Sequence, residues 1–279
     1  MVDTAALAAA VYQAVGTASI TLRPDVRDAL AAAERTEPSE RGRAALRQLL
    51  ENAAIAQTEG VPLCQDTGSV WVRIELGSEE APGGDLRAAI DAAVGDAYRD
   101  FGLRMSMVRD ALLDRTNTGD NTPAVIDLVS RPGTGAKVDV LLKGGGSDNA
   151  SALAMLPPSA GLDGVRRFVL ETVEAKATGA CPPLLVGVAV GGTFDTVGGL
   201  AKKALLRAIG SAPAGAETAR IESGLLDAVN ATGIGPAGLG GRTTALAVHL
   251  VTAPSHIAAL PVAVNLGCCA IRSASVEIS

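Results

Sequence analysis

Six polar loops, most of them rich in glycine and proline, divide this sequence into short apolar segments, and that punctuation limits the fold more than any single motif. They are Pro62–Gly68, Arg104–Pro123, Lys143–Asn149, Gly179–Pro183, Gly233–Gly241, and the pair of turns at Ser255-His256 and Gly267-Cys268-Cys269. Gly and Pro interrupt regular structure because one frees and the other fixes φ. Between the loops the periodicity switches between helix-like and strand-like. Residues 1–60 read as helical, with Pro24 in a first turn, Ser39 as an N-cap and Gly60 as a stop. Val70, Val72, Ile74 and Leu76 alternate with Trp71, Arg73 and Glu75, the pattern of a half-buried strand. Helices are expected at Asp85–Phe101, Val165–Thr178, Thr196–Ile209 and Glu217–Ala231. Strands are expected at Ala124–Val129, Val138–Leu142, Leu184–Val190, Thr244–Val251 and Pro261–Leu266. No internal repeat or low-complexity linker is visible. The expectation is one mixed α/β domain over 1–279, with a helical N-terminal layer over 1–60 and a mixed sheet.

Composition removes several function classes. A chain of 279 residues with 48% hydrophobic and 19% charged residues buries a substantial core, which excludes whole-chain disorder. Its 24 basic and 30 acidic residues give a net charge of −6 and no long run of one sign, against non-specific nucleic-acid or membrane-surface binding. Aromatic residues are only 2%, too few for a base-stacking platform. No basic leader precedes the first apolar stretch, and Thr244–Ile271 is too interrupted by polar and proline residues to span a bilayer. A cytoplasmic protein with reduced thiols is the expectation.

The residues that carry chemistry lie in the loops. No two of Cys64, Cys181 and Cys268 fall at a CxxC spacing, so ferredoxin-type clusters and zinc ribbons are disfavoured. Each sits in a turn with backbone N–H groups at hand, as a sulfur-ligated cluster requires; the alternative is a small buried hydrophobe, and Cys269 fits that alternative best. His249 lies inside an apolar alternating run and reads as a core residue, whereas His256, between Pro254 and Pro261, is open to anion binding or acid–base work. Lys143 precedes Gly144–Gly146, the reverse of the P-loop order, so the triple glycine is either an ordinary turn or a place where a ligand meets backbone donors. Gly233–Gly238 matches GxGxxG in letters only. A helical pattern precedes it, Pro236 lies inside it, and no Asp or Glu occurs from Ala228 through Val276 to hold a ribose. Arg104, Arg109, Asp110, Asp114 and Arg115 form either an ion network or, if one Arg is spared, a carboxylate clamp.

Taken in order, PLCQDTG, LRxSxVxDxLxxRxNTGDNTPA, KGGGSDN, CPP, GGTFDxVxxLAKKALLR, GIGPAGLGG and HxxxxPVAVNxxC resemble the iron–sulfur class I hydro-lyases, the class I fumarate hydratases and L-tartrate dehydratases, from about Asn52 to Arg272. The resemblance implies a class I fumarase N-terminal, α-subunit type domain and a [4Fe–4S] cluster held by Cys64, Cys181 and Cys268. One iron is then left open to a 2-hydroxy diacid. It implies that Gln65 and Asp66 contact the substrate hydroxyl and support proton transfer. Charge builds on a substrate carboxylate when a proton is removed beside it, so donors must be aimed there, and Arg104, Gly145 and His256 are the candidates. Single-chain relatives continue beyond the position of Ser279, which implies a separate β subunit and an α2β2 assembly built on an α homodimer. Asp127 stands where many relatives carry His. The expected activity is an oxygen-sensitive hydro-lyase, most directly fumarate to malate, with L-tartrate or another 2-hydroxy diacid as the alternative substrate. A non-catalytic scaffold subunit and a zinc hydrolase are the remaining alternatives.

Overall fold

In the computed structural model, which describes residues 2–213 and 215–279, the chain forms two compact units. The first comprises the N-terminal residues through Arg23, Asn52–Gly145 and Ile271–Ser279; the second comprises Pro24–Glu51 and Gly146–Ala270. The sequence was read as one domain with a helical layer over 1–60. Those residues form three helices, α1 (Thr4–Ile20), α2 (Pro24–Thr36) and α3 (Glu40–Glu59), which are shared between the units, the chain passing from one to the other between α1 and α2 and back again inside α3.

The first unit is built on a four-stranded sheet of order β2-β1-β3-β8, from β1 (Ser69–Gly77), β2 (Val125–Arg131), β3 (Ala136–Lys143) and β8 (Arg272–Ile278). β1 runs parallel to β2 and antiparallel to β3, and β3 is antiparallel to β8. The parallel step requires a crossover, which α4 (Leu86–Asp100) supplies. Asp85 starts that helix as an N-cap, accepting the Ala88 N–H at 3.0 Å. Val70, Val72, Ile74, Val138, Val140 and Leu142 pack with Leu7, Val11 and Val15 of α1 and Ile90 and Val94 of α4. One 18-residue window within Thr4–Thr36 is apolar enough to cross a membrane, at mean hydropathy 1.4, and half of it is buried in the protein. β1 is not half-buried as its alternation suggested: Trp71 and Arg73 on its other face are also buried.

The second unit repeats the same pairing scheme. Its sheet, β6-β5-β7-β4, contains β4 (Ala152–Leu156), β5 (Leu184–Gly192), β6 (Ala245–Ser255) and β7 (Leu260–Gly267). Again one parallel pair, β5 with β6, is followed by two antiparallel pairs. The short helix α5 (Gly145–Asn149) precedes β4, and α6 (Gly161–Lys176) follows it; α7 (Val197–Ala204) and α8 (Ala216–Ala231) make the crossover between β5 and β6. β5 is a continuous apolar run because both faces are covered. Gly187 interrupts it for a steric reason: a Cβ there would lie 2.2 Å from the Ala201 carbonyl of α7. β4 and β8, both edge strands, were not foreseen, and α7 is shorter than expected.

Glu37, in the corner between α2 and α3, ties the glycine-rich turn to this unit. Its carboxylate, 1% exposed, accepts the N–H groups of Arg242 at 2.9 and 3.0 Å, Thr243 at 2.9 Å and Ser39 at 3.2 Å. Burial alone would raise its pKa, but these donors outweigh it and hold the carboxyl below its usual value. Stability from a depressed carboxyl is complete above the unfolded pKa and is lost as pH falls through the folded one. Glu37→Gln is therefore expected to lower unfolding free energy by about 1–3 kcal/mol at pH 7, with the gap closing below about pH 4, as read by urea denaturation.

Candidate active site

Between α3 and β1 the chain turns through Cys64-Gln65-Asp66-Thr67-Gly68, and this loop is held from several directions. The Leu63 N–H donates to the Ser19 carbonyl at 2.8 Å, and the Asn52 amide donates to the Leu63 carbonyl at 2.9 Å. The buried Tyr98 hydroxyl of α4 donates to the carbonyls of Thr67 and Gly68 at 2.9 and 3.0 Å. Burial pushes that phenol up to about 12, so it remains a proton donor rather than a base. Gly68 has φ +80° and lies so close to β3 that a Cβ would meet the Lys143 carbonyl at 2.7 Å. Asn121 donates to the Gly68 carbonyl at 3.0 Å and accepts the Ser106 N–H at 2.7 Å, which ties in the Arg104–Pro123 loop.

Asp66 is the centre of this arrangement. Oδ2 accepts the Gly145 N–H at 2.8 Å, Oδ1 accepts the Gly68 N–H at 3.1 Å, and Arg104 Nη2 stands 3.5 Å from Oδ1. The Arg272 guanidinium donates to the Asp66 carbonyl. Four expected residues are thereby gathered in the first unit: Gln65, Asp66, Arg104 and Gly145, with Gln65 Oε1 3.4 Å from Cys64 Sγ. The Gly145 N–H, expected to face a substrate carboxylate, is directed at Asp66. Of the two readings of the Arg104–Arg115 segment, ion network or carboxylate clamp, the network is not seen among the described contacts: Asp110 and Asp114 cap their own turns through the N–H groups of Leu112, Leu113 and Thr116. Asp127 forms an ion pair with Arg73, its register partner on β1. Arg272 was missed because its segment was not read as a strand; the alternation of Arg272–Ile278 was the available signal.

Within the second unit, Cys181 follows a short 3₁₀ turn in the left-handed conformation, φ 56°, and is exposed. The Cys269 N–H donates to its carbonyl at 3.0 Å, bringing the peptide after Cys268 against Cys181. Ala237 of the glycine-rich turn donates to the Pro182 carbonyl at 2.8 Å, so that turn braces the cysteine loop. Cys269 is buried and Cys268 half-buried. His249 is buried, with Nδ1 3.1 Å from the Ala204 carbonyl, a satisfied core residue. His256 is exposed in the β6–β7 turn and accepts the Ala258 N–H at 3.1 Å. It lies at the opposite end of β7 from Cys268, and eight residues of strand at about 3.3 Å each separate them by roughly 25 Å.

Among the described residues no group of three or more His, Cys, Asp or Glu is gathered to hold a metal ion. Cys64 belongs to the first unit and Cys181 and Cys268 to the second. The donor chemistry nonetheless fits an iron–sulfur group: three thiols outside any disulfide, none fully buried, each in a turn, with the fourth thiol, Cys269, turned into the interior.

The model of the family described as fumarate hydratase (Fumerase) matches residues 8–277. The protein named "Putative L(+)-tartrate dehydratase subunit alpha" of Methanocaldococcus jannaschii is 39% identical over 263 residues, covering 92% of each chain. L(+)-tartrate dehydratase subunit alpha of Escherichia coli strain UTI89 is 34% identical over 268 residues, 94% of this chain and 88% of its own. Its counterpart in strain K12 is 34% identical over 262 residues, 92% and 86% of the two chains.

The Tyr98 hydroxyl supports two carbonyls of the Cys64–Gly68 loop. Tyr98→Phe is expected to cost about 1–2 kcal/mol in thermal unfolding and to raise amide exchange selectively in residues 64–68.

Proposed function

Since the chain belongs to the fumarate hydratase (Fumerase) family, we propose that it is the α subunit of an iron–sulfur hydro-lyase acting on a four-carbon 2-hydroxy diacid. The single observation that carries this reading is the Asp66 cluster, in which an exposed arginine and two backbone N–H groups surround the carboxylate two positions after Cys64. Fumarate and malate are the first substrate pair, after the family. L-tartrate is the second reading, favoured by relatives named as its dehydratase over most of both chains.

Cys64, Cys181 and Cys268 would hold a [4Fe–4S] cluster, while the buried Cys269 packs. When bound, such a cluster supplies a Lewis acid for the substrate hydroxyl and an adjacent carboxylate. Gln65 and Asp66 contact that hydroxyl and support proton transfer, as the family resemblance implies. Arg104, exposed on its loop, binds the carboxylate on which charge develops. His256 stands too far along β7 from Cys268 to reach a diacid held at the same chain's cysteines. Its contribution therefore goes to the site of a second α copy, which gives the expected α homodimer a catalytic reason. The alpha-subunit names of the relatives support a separate β subunit, which supplies the remaining donors and the base. The cytoplasm, where thiols stay reduced, is the compartment this chemistry requires.

The chain, purified anaerobically with its β partner, is expected to be brown, to contain labile sulfide and to hydrate fumarate or dehydrate L-tartrate. The α chain alone is expected to be inactive. Zinc without sulfide would point to a hydrolase, and cluster without turnover on any diacid would point to a scaffold. Ser substitution at Cys64, Cys181 or Cys268 should remove visible absorbance and sulfide, and at Cys269 should leave most of both. Arg104→Ala should keep the cluster and reduce kcat/KM by about 2–4 kcal/mol of transition-state stabilisation. His256→Ala and Cys268→Ser chains, each inactive alone, should recover part of the activity when co-assembled. Failure of that complementation would return His256 to a structural role.

A further inference from the structure

We infer that Arg272 is a positioning residue of this site: it compensates Asp66 from behind, so that Arg104 is released to bind a substrate carboxylate. The inference rests on the diacid reading above. Arg272 opens β8, pairs with Leu142 of β3, and is 2% exposed. A buried guanidinium needs a nearby anion and hydrogen-bond acceptors to be tolerated. Its Nη1 donates to the Asp66 carbonyl, and its Nε has no partner. Its Nη2 and Asp66 Oδ2 both lie 3.1 Å from where a Cβ on Gly144 would be. Gly144 is therefore the gap through which the buried cation faces the carboxylate, and any side chain there would push the two apart.

The two arginines beside Asp66 differ in what holds them. The Arg104 side chain is 58% exposed and its guanidinium Nη2 is 3.5 Å from Asp66 Oδ1, the kind of exposed pair that contributes little and exchanges easily. Arg272 cannot leave. Asp66, Arg104 and Arg272 together carry one net positive charge. With Arg272 in place, Arg104 can turn to an arriving dianion while Asp66 stays neutralised. Without Arg272, Asp66 keeps its described ion pair with Arg104, and substrate must compete for that arginine.

The test is a double-mutant cycle on the assembled, cluster-loaded enzyme: wild type, Arg104→Ala, Arg272→Gln and the double variant. The readings are kcat and KM for the diacid, calorimetric binding of succinate, iron and sulfide content, and the melting temperature. Arg272→Gln is expected to raise KM and the succinate Kd about tenfold while leaving cluster content intact. Adding Arg104→Ala should then cost at least fivefold less than it does in the wild type. Multiplicative effects, or a lowered melting temperature with unchanged succinate binding, would overturn the inference. If Arg272→Gln does not fold, Gly144→Ala should raise the succinate Kd similarly and Arg272→Lys should keep it within about threefold. An unchanged Kd in folded Gly144→Ala is a refutation. Coupled succinate binding without turnover on any diacid would sink the hydro-lyase reading but keep this inference; turnover without coupling would do the reverse. A wild type that binds no succinate removes both.

Discussion

Asp66 is held by backbone rather than by side chains, and the first unit's chemistry depends on that. A carboxylate that accepts two peptide N–H groups, from Gly68 and Gly145, has its position set by two loops that follow α3 and β3. Those loops can approach because Gly68 and Gly144 carry no side chain. Peptide donors cannot rotate away, so the carboxylate is kept oriented and partly open without relying on mobile cations. Arg104 is then free to be the mobile one.

The same principle recurs in the second unit with a different anion. Glu37 gathers three backbone N–H groups and so fixes the glycine-rich turn, which in turn donates from Ala237 to the carbonyl of Pro182 beside Cys181. The turn that imitates a dinucleotide fingerprint in its letters is in the fold a brace for the cysteine loop. Its glycines serve close backbone packing: a Cβ on Gly235 would meet the Gly240 backbone at 2.3 Å. A thiol held this way sits in a rigid turn at the surface, the environment a sulfur-bound iron site needs.

Both sheets use one scheme: a parallel pair joined by a helical crossover, then two antiparallel strands. No repeat is visible in the sequence because strand pairing constrains only alternation and burial, which many residues satisfy. The outer strand in the first sheet is the last segment of the chain, and in the second it is the first, so the two schemes are also not collinear. The central strands β1, β3, β5 and β7 and the edge strands β2 and β6 were plain, whereas β4 is only five residues long and the alternation of β8 was passed over, so both escaped notice.

The sequence by itself determined the central strands, most helices, the loops that carry Cys64, Asp66, Arg104, Gly145 and Cys181, and the core role of His249. These follow from local periodicity, turn chemistry and residue type, all encoded within a few neighbours. Only the tertiary structure decided what meets across long separations. Arg272 reaches Asp66 from 206 positions away because β8 pairs with β3, and Glu37 reaches Arg242 across 205. It likewise decided that His256 and Cys268, twelve positions apart in one motif, stand at opposite ends of a strand. An extended segment separates its ends in proportion to its length, while pairing unites distant segments; neither outcome is written in the spacing of letters.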